Sequence, residues 1–301
     1  MKKAKIAIGI IVCIALLGCA AYGIYTQVGA VRFGEMTIDG VPEKADGTTR
    51  IMSFNVRCAN DGEQTITNRS KVAIEMLKAY MPDSFGVQEC TPRWKRIFYY
   101  NLGDKYACTG KARDYYGPFT EYSAIYYLKD KYELIDSGTI WLSDTPDVFA
   151  SKFKFSFCPR IATWVVLENK ADGTRYTHIN THLDHVLESV RVKQIEVLSG
   201  KIAELEAMGY PVVCTGDFNT KQGADAYNKM SEAMADSKLI AANSDDGATY
   251  INYGRNRTET KPIDFIFVSN GVSVDRYKII DEKIDRMYLS DHAGLCADVR
   301  F

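Results

Sequence analysis

Six short segments of this 301-residue chain carry at or near one end side chains that handle protons, phosphate or metal ions. They are Ser53-Phe54-Asn55, Val87-Gln88-Glu89, Asn180-Thr181-His182-Leu183-Asp184-His185, Thr215-Gly216-Asp217-Phe218-Asn219, Ile263-Asp264-Phe265-Ile266-Phe267 and Ser290-Asp291-His292. Taken singly, each has an ordinary structural use. Asp and Asn cap turns, Glu89 suits the start of a helix opening at Thr91-Pro92, and Asp264 has Lys261 nearby for an ion pair. Taken together, apolar strands with polar tips bring carboxylates, amides and imidazoles to one rim of a sheet. That set suits the hydrolysis of a phosphate ester, which needs an activated water, a counter-charge for the nonbridging oxygens and help for the leaving oxygen. A hard divalent cation supplies the counter-charge, and Mg²⁺ keeps several of its waters, so one or two carboxylates hold it. Glu89 is the expected principal ligand, with Asn55 and Asp291 in or beside the coordination shell. Mn²⁺ is a suitable substitute because it also takes oxygen ligands.

In order and wording these segments resemble the endonuclease/exonuclease/phosphatase superfamily, with Gly216-Asp217-Phe218-Asn219 and Ser290-Asp291-His292 the most specific pieces. The resemblance covers residues 49–301. The run from Asn180 to His185 is similar to the histidine-containing branch, which holds deadenylase-like and sphingomyelinase-like hydrolases, and not to the abasic-endonuclease branch, which has a tyrosine at that strand tip. Arg57 stands where that nuclease branch carries an acid, a second departure from it.

The resemblance implies an α/β fold, a four-layer sandwich of two mixed β-sheets flanked by helices, with the site at one end. It also implies roles. Asp217 would orient or deprotonate the attacking water, and Asn219 would donate to the phosphate. His292 would act as acid/base or as a charge-stabilising imidazole, with Asp264 on its other nitrogen, and His182 would contact the phosphoryl oxygen from the opposite side. Whether Asp217 or His292 takes the proton stays open at this point. Arg160, after Cys158-Pro159, and Glu121 are further substrate-binding candidates. His178 reads as a strand residue without chemistry, and His185 as a partner of Asp184 or of the helix that follows. Tyr115, Tyr116, Phe119 and Tyr122 could wall an apolar group, whereas Arg255, Arg257 and Lys261 form a charged loop of a kind usually solvated.

The elements that must position these groups are legible from periodicity. Strands are expected at residues 51–56, 84–88, 123–128, 131–142, 161–168, 174–181, 211–214, 263–268, 272–280 and 295–301. A helix capped by Thr67-Asn68 runs to Tyr80, a second starts at Thr91-Pro92, a third spans 188–208 with Ile195, Leu198, Ile202 and Leu205 on one face, and a fourth spans 224–235. Strands interleaved with helices, without repeats or low-complexity tracts, indicate a layered α/β domain at 49–301.

Residues 1–27 read differently. Met1-Lys2-Lys3-Ala4-Lys5 precedes an uncharged apolar run over residues 6–25, long enough to cross a bilayer with the lysines kept in the cytoplasm. An uncleaved anchor is the leading expectation, a cleaved signal and a lipoprotein processed at Cys19 are the alternatives, and all three put the catalytic domain outside the cytoplasmic membrane. Residues 28–48 read as a linker. Six cysteines remain in the domain; Cys214 and Cys296 lie in apolar strands as small hydrophobes, and a Cys58–Cys90 bond is conceivable. The net charge of −1 lacks the cationic excess of a duplex-binding protein. No Gly-x-Ser-x-Gly segment offers a serine nucleophile. The reading is therefore an extracytoplasmic, membrane-anchored phosphoesterase, with a phosphodiester favoured and phospholipid head groups, nucleotides or phosphorylated glycans as substrates. An exported nuclease is the alternative enzyme, a catalytically silent binding module the alternative of another class. No obligate protein partner is expected.

Overall fold

The computed structural model describes residues 38, 40–256, 258–284 and 287–301. The apolar run expected to be an anchor, most of the linker and Arg257 lie outside these residues. In chain order the elements are β1 (Thr49–Asn55), α1 (Ile66–Tyr80), β2 (Ser84–Cys90), α2 (Pro92–Leu102), β3 (Tyr106–Thr109), β4 (Tyr122–Leu128), β5 (Tyr132–Trp141), β6 (Ile161–Asn169) and β7 (Arg175–His182). There follow α3 (Glu188–Glu206), β8 (Val212–Asp217), α4 (Asp225–Ser231), β9 (Ala235–Asp236), α5 (Ser237–Ile240), β10 (Asn243–Ser244), β11 (Asp264–Val268), β12 (Ser273–Ile280), β13 (Lys283–Ile284), β14 (Met287–Tyr288) and β15 (Gly294–Arg300).

Two large mixed sheets carry the fold. One has the order β10-β12-β15-β1-β2-β4-β3, the other β5-β6-β7-β8-β11-β9. Side chains alternate along each strand, so every central strand serves two layers. Met52, Phe54, Phe85 and Val87 face α1 and α2, where they pack with Leu77, Trp94 and Phe98. Ile179, Val212, Cys214 and Phe265 face α3 on the other side, against Ile195 and Leu198. Ile51, Ile125, Val165, Val213, Ile266 and Leu295 fill the space between the sheets. This is the four-layer sandwich, helix–sheet–sheet–helix.

The space between the sheets is not apolar throughout. Tyr176 donates to Ser84 Oγ at 3.0 Å, and His178 bridges Ser84 Oγ (2.8 Å) and Thr215 Oγ1 (2.9 Å). Asn180 accepts from Gln88 Nε2 at 2.6 Å and from Thr215 Oγ1 at 3.1 Å, while its own amide donates to the Val87 and Ala124 carbonyls of the opposite sheet. Gly86 makes that crossing possible: a Cβ there would lie 2.4 Å from Thr215 Oγ1 and 2.5 Å from Asn180 Cγ. Apart from Gln88 Oε1, the polar side-chain atoms named here are hydrogen-bonded, which is the condition for carrying them in a core.

Local differences from the sequence reading have local causes. The cap of α1 is Thr65, whose side chain accepts from the Asn68 amide, because the Thr67 hydroxyl is taken by Arg93 of α2. β3 was not expected; with four residues it shows too little alternation to be read alone. Cys58 and Cys90 are both free thiols. The end of the segment read as a linker lies against the domain: Ile38 and Val41 pack on the core, the Pro42 carbonyl accepts from Arg50, and Lys44 pairs with Asp83.

Candidate active site

The strand directions explain why the polar tips meet. β1 and β2 run parallel and carry Asn55 and Glu89 at or next to their ends, while β15 runs antiparallel to β1, so Asp291-His292 just before it lies at the same rim. In the other sheet β7 and β8 are parallel and place His182 beside Asp217, and antiparallel β11 begins with Asp264 opposite Asp217. Asn55, His182 and Asp217 each follow inward-facing residues by two, so all three face the gap between the sheets. Glu89 comes to the gap by another route. The register of β2 shifts between Val87 and Cys90, and Glu89 takes a φ of 54° in this bulge. A bulge re-aims a side chain that would otherwise face the helices, at a cost of about 1–3 kcal/mol for the left-handed conformation. Arg57 (φ 58°) and Asn219 (φ 49°) share that conformation.

Asp217 is the centre of the arrangement and is 2% exposed. Its Oδ2 accepts from Asn55 Nδ2 at 3.0 Å and lies 3.5 Å from His182 Nε2 and 3.8 Å from His292 Nε2. Its Oδ1 accepts from the Asn219 amide at 3.0 Å, and the Asn219 side chain donates to the Leu183 carbonyl. His292 Nδ1 is 2.8 Å from Asp264 Oδ2, and the Asp264 amide donates to Thr249 Oγ1. Asn55 also donates to Glu89 Oε1 at 2.9 Å, and Glu89 Oε2 accepts from the Cys58 amide at 2.8 Å. Asp291 accepts from Ser290 Oγ and lies 3.6 Å from Arg57 Nε.

Burial and neighbours set the charges. Burial alone would push the His292 imidazole down, but the carboxylates of Asp264 and Asp217 outweigh it and raise its pKa to about 10, so it is cationic at neutral pH. Asp217 is pushed well above the usual carboxylate range, by burial first and then by Asp264, with His292 pulling back. His182 is pushed far down by burial and then by Arg160 and Arg113. Its contact with Asp217 is therefore that of a neutral imidazole and not an ion pair. Glu89 is held below the usual range: burial opposes its charge, but the Cys58 amide and thiol and the Asn55 amide stabilise it. Asp291 is raised by burial and, against His292, by the charge of Glu89. Glu89 and Asp291, two carboxylates close enough for the charge of one to raise the other, stand with the Asn55 amide as oxygen donors of the kind that fits a hard divalent cation. Ligand-type atoms of Asp217, Asp264 and His292 also lie within 4.8 Å of one another, with the Asp264–His292 bond already made inside that group.

The structure thus brings together Asn55, Glu89, His182, Asp217, Asn219, Asp264, Asp291 and His292. Arg160 and Glu121 line an adjoining narrow cleft, where Glu121 forms a two-pronged ion pair with Arg113 at 2.6 and 2.8 Å. His185 bonds neither Asp184 nor α3; its Nδ1 is 3.1 Å from Arg160 Nη2. Asp264 serves His292 in place of Lys261. Tyr115, Tyr116 and Phe119 are exposed, as are Arg255 and Lys261. Sequence reasoning missed Arg113, which sits in a loop with no periodic signal. It also missed Tyr250, whose ring packs edge-on against His292 with centroids 5.1 Å apart. Arg57 was noticed only as a departure, although its place two residues after Asn55 could have put it at the rim.

A model of the Endonuclease/Exonuclease/phosphatase family matches residues 52–292. No curated protein matches the chain in sequence. Among solved structures, an endonuclease/exonuclease/phosphatase from Bacteroides vulgatus is 29% identical, with a TM-score of 0.76 over 84% of this chain and 99% of its own. The mannosyl-6-phosphatase of Bacteroides thetaiotaomicron VPI-5482 is also 29% identical, with a TM-score of 0.77 over 84% of this chain and all of its own, 100%. TDP2 of D. rerio, solved with a single-strand DNA product, shares the fold at 19% identity, with a TM-score of 0.69 over 85% of this chain and 100% of its own. The strand tips, the sandwich that gathers them and the match across nearly the whole described domain lead to one statement: the chain belongs to the endonuclease/exonuclease/phosphatase family and is a hydrolase of phosphate esters.

Proposed function

We propose that the domain hydrolyses its phosphate ester with a water activated at Asp217 and a divalent cation, Mg²⁺ with Mn²⁺ as substitute, held by Glu89 and Asp291 beside Asn55. The observation that carries this reading is the Asp217 carboxylate, buried and raised, with an imidazole on each side at 3.5 and 3.8 Å. A carboxylate whose proton affinity lies nearer neutrality accepts a proton from water more readily than an ordinary one. Cationic His292, oriented by Asp264, donates toward the oxygen that gains charge, and neutral His182 meets the phosphoryl group from the other side. The Asn219 amide fixes Asp217, and the second hydrogen of its side-chain amide is left to donate to the phosphate. When bound, the cation neutralises charge on the phosphate oxygens.

A phosphorylated glycan outside the cytoplasm is the substrate we favour. The B. thetaiotaomicron mannosyl-6-phosphatase, covered over its full length, supports a sugar phosphate. The apolar run over residues 6–25 supports an extracytoplasmic, membrane-held domain; among the described residues no helix is long and apolar enough to cross a membrane. The test is a panel of phosphorylated mannose glycan, sphingomyelin, inositol phosphate and single-stranded DNA, with and without chelator. The glycan should turn over fastest, and only with the cation. Preference for carboxyl esters would end the reading, and full activity in excess chelator would remove the cation from it.

A further inference from the structure

The wall on the His182 side of the site is built around an arginine with spare donors. Arg160 immediately precedes β6, its carbonyl accepts from the Leu142 amide, and it is only 4% exposed. One guanidinium nitrogen meets His185 at 3.1 Å, while Nε and Nη1 have no hydrogen-bond partner. His182 Nδ1 is likewise buried and unpartnered. Both residues line the same cleft, with Glu89 at one edge and the Arg113–Glu121 pair at the other. The loop before Arg160 is pinned: Asp184 Oδ2 accepts from Ser156 Oγ and the Phe157 amide, and the Phe157 ring packs edge-on against His185. Buried donors without acceptors are costly and rare, and at the floor of a cleft beside a reaction centre they fit an acceptor that arrives with the substrate.

The chemistry of that acceptor can be specified. Glu121 is engaged by Arg113 and Glu89 is the proposed cation ligand, so the donors left over in this cleft are those of the Arg160 guanidinium, and the group they fit is an oxyanion. The cleft leaves only about 10 Å³ of free space, room for a single oxygen, and is lined by Glu89 and His182, so the oxyanion belongs to the scissile phosphoryl group itself. In a phosphate monoester that position holds a charged terminal oxygen, and the group carries roughly −1.5 to −2 at neutral pH. In a diester the group carries less charge, and one of its oxygens bears a second organic group that a cleft of this size would have to admit. Resting on the phosphoesterase reading above, we infer that Arg160, with Arg113 beside it, selects a terminal phosphate, so that the substrates of this site are phosphate monoesters in place of the diesters expected from sequence.

The experiment compares kcat/KM of the full-length protein on 4-nitrophenyl phosphate and bis(4-nitrophenyl) phosphate, with Arg160→Gln and Arg160→Lys alongside. The wild type should favour the monoester by about tenfold or more, and Arg160→Gln should lower monoester turnover by about 10²-fold and collapse that ratio. Arg160→Lys should restore part of it, since it returns the charge without the planar donors. A wild type that favours the diester, or a Gln variant that lowers both esters equally, overturns the inference and leaves the phosphoesterase reading intact. A wild type that cleaves neither ester nor any phosphate ester of the panel defeats that reading instead. If Arg160→Gln does not fold, inhibition of the wild type decides: inorganic phosphate should bind about tenfold tighter than dimethyl phosphate, and the reverse order overturns the inference.

Discussion

Asp264→Asn removes one charge from the site and little else, since the asparagine oxygen can still accept from His292 Nδ1. In the native protein that contact is 2.8 Å and both groups are buried. With an effective dielectric of about 20 and charges about 3.5 Å apart, the pair is worth on the order of 5 kcal/mol, or roughly three to four pKa units. That is the scale of the rise of His292 to about 10. Without Asp264, burial is opposed chiefly by Asp217, and His292 should titrate below about 7. Asp217 should fall as well, because Asp264 is one of the groups that raise it. The assay is histidine side-chain NMR on chelator-treated protein, helped by there being four histidines in the chain. His178, lowered to about 3 by burial, and His182 and His185, both lowered, should be neutral at pH 7, leaving His292 as the one cationic ring. A raised folded pKa also gives a sign for stability: the His292 contribution is full below about pH 6.5 and is lost as pH rises through about 10. Asp264→Asn should flatten that alkaline decline, cut turnover by about 10²–10⁴-fold and move the alkaline limb of the rate profile to lower pH. A His292 that titrates near 6.5 in the wild type, or stays above about 9 in the variant, would refute the electrostatic account.

Glu89→Gln should raise the Mg²⁺ concentration needed for activity and lower turnover by roughly 10²-fold with an unchanged circular-dichroism spectrum; a wild-type Mg²⁺ response would take Glu89 out of the cation site. His182→Ala and His292→Ala should each cost about 10²-fold or more, and the double variant less than their product, as measured by single-turnover rates. A histidine whose loss leaves turnover unchanged has a structural role only. Gly86→Ala, which would set a methyl 2.4 Å from Thr215 Oγ1, should destabilise the fold by about 1–3 kcal/mol in urea unfolding; an unchanged midpoint would mean that the sheets part there freely.

What could be read in advance was periodic. The central strands announce themselves by apolar bodies, and their tips by the acid, amide or imidazole that ends the run, so Asn55, His182 and Asp217 were visible as rim residues. Glu89 was visible as a residue but not as a conformation, because a φ of 54° in a bulge leaves no mark on neighbouring side-chain types. Thr67 looked like a cap and was claimed by an arginine 26 residues away. Arg113 owes its place to Glu121 and to the Trp141 indole that donates to its carbonyl, contacts that only the closed fold creates. The two-residue strands β9, β10, β13 and β14 exist because a neighbour offers an edge, and no run of two residues has a period.

Half of the site stands on each sheet: Asn55, Glu89, Asp291 and His292 on one, His182, Asp217 and Asp264 on the other. Neither sheet can therefore rehearse the chemistry alone. During refolding, strand content and helix content should recover before any turnover does, and activity should return only in the last docking step, when Asn180 reaches Val87 and Ala124 across the gap. The polar contacts between the sheets would then act as a registration key. A mispaired sandwich would leave Asn180, Gln88 and His178 buried without partners, so catalysis and correct assembly are proofread by the same residues.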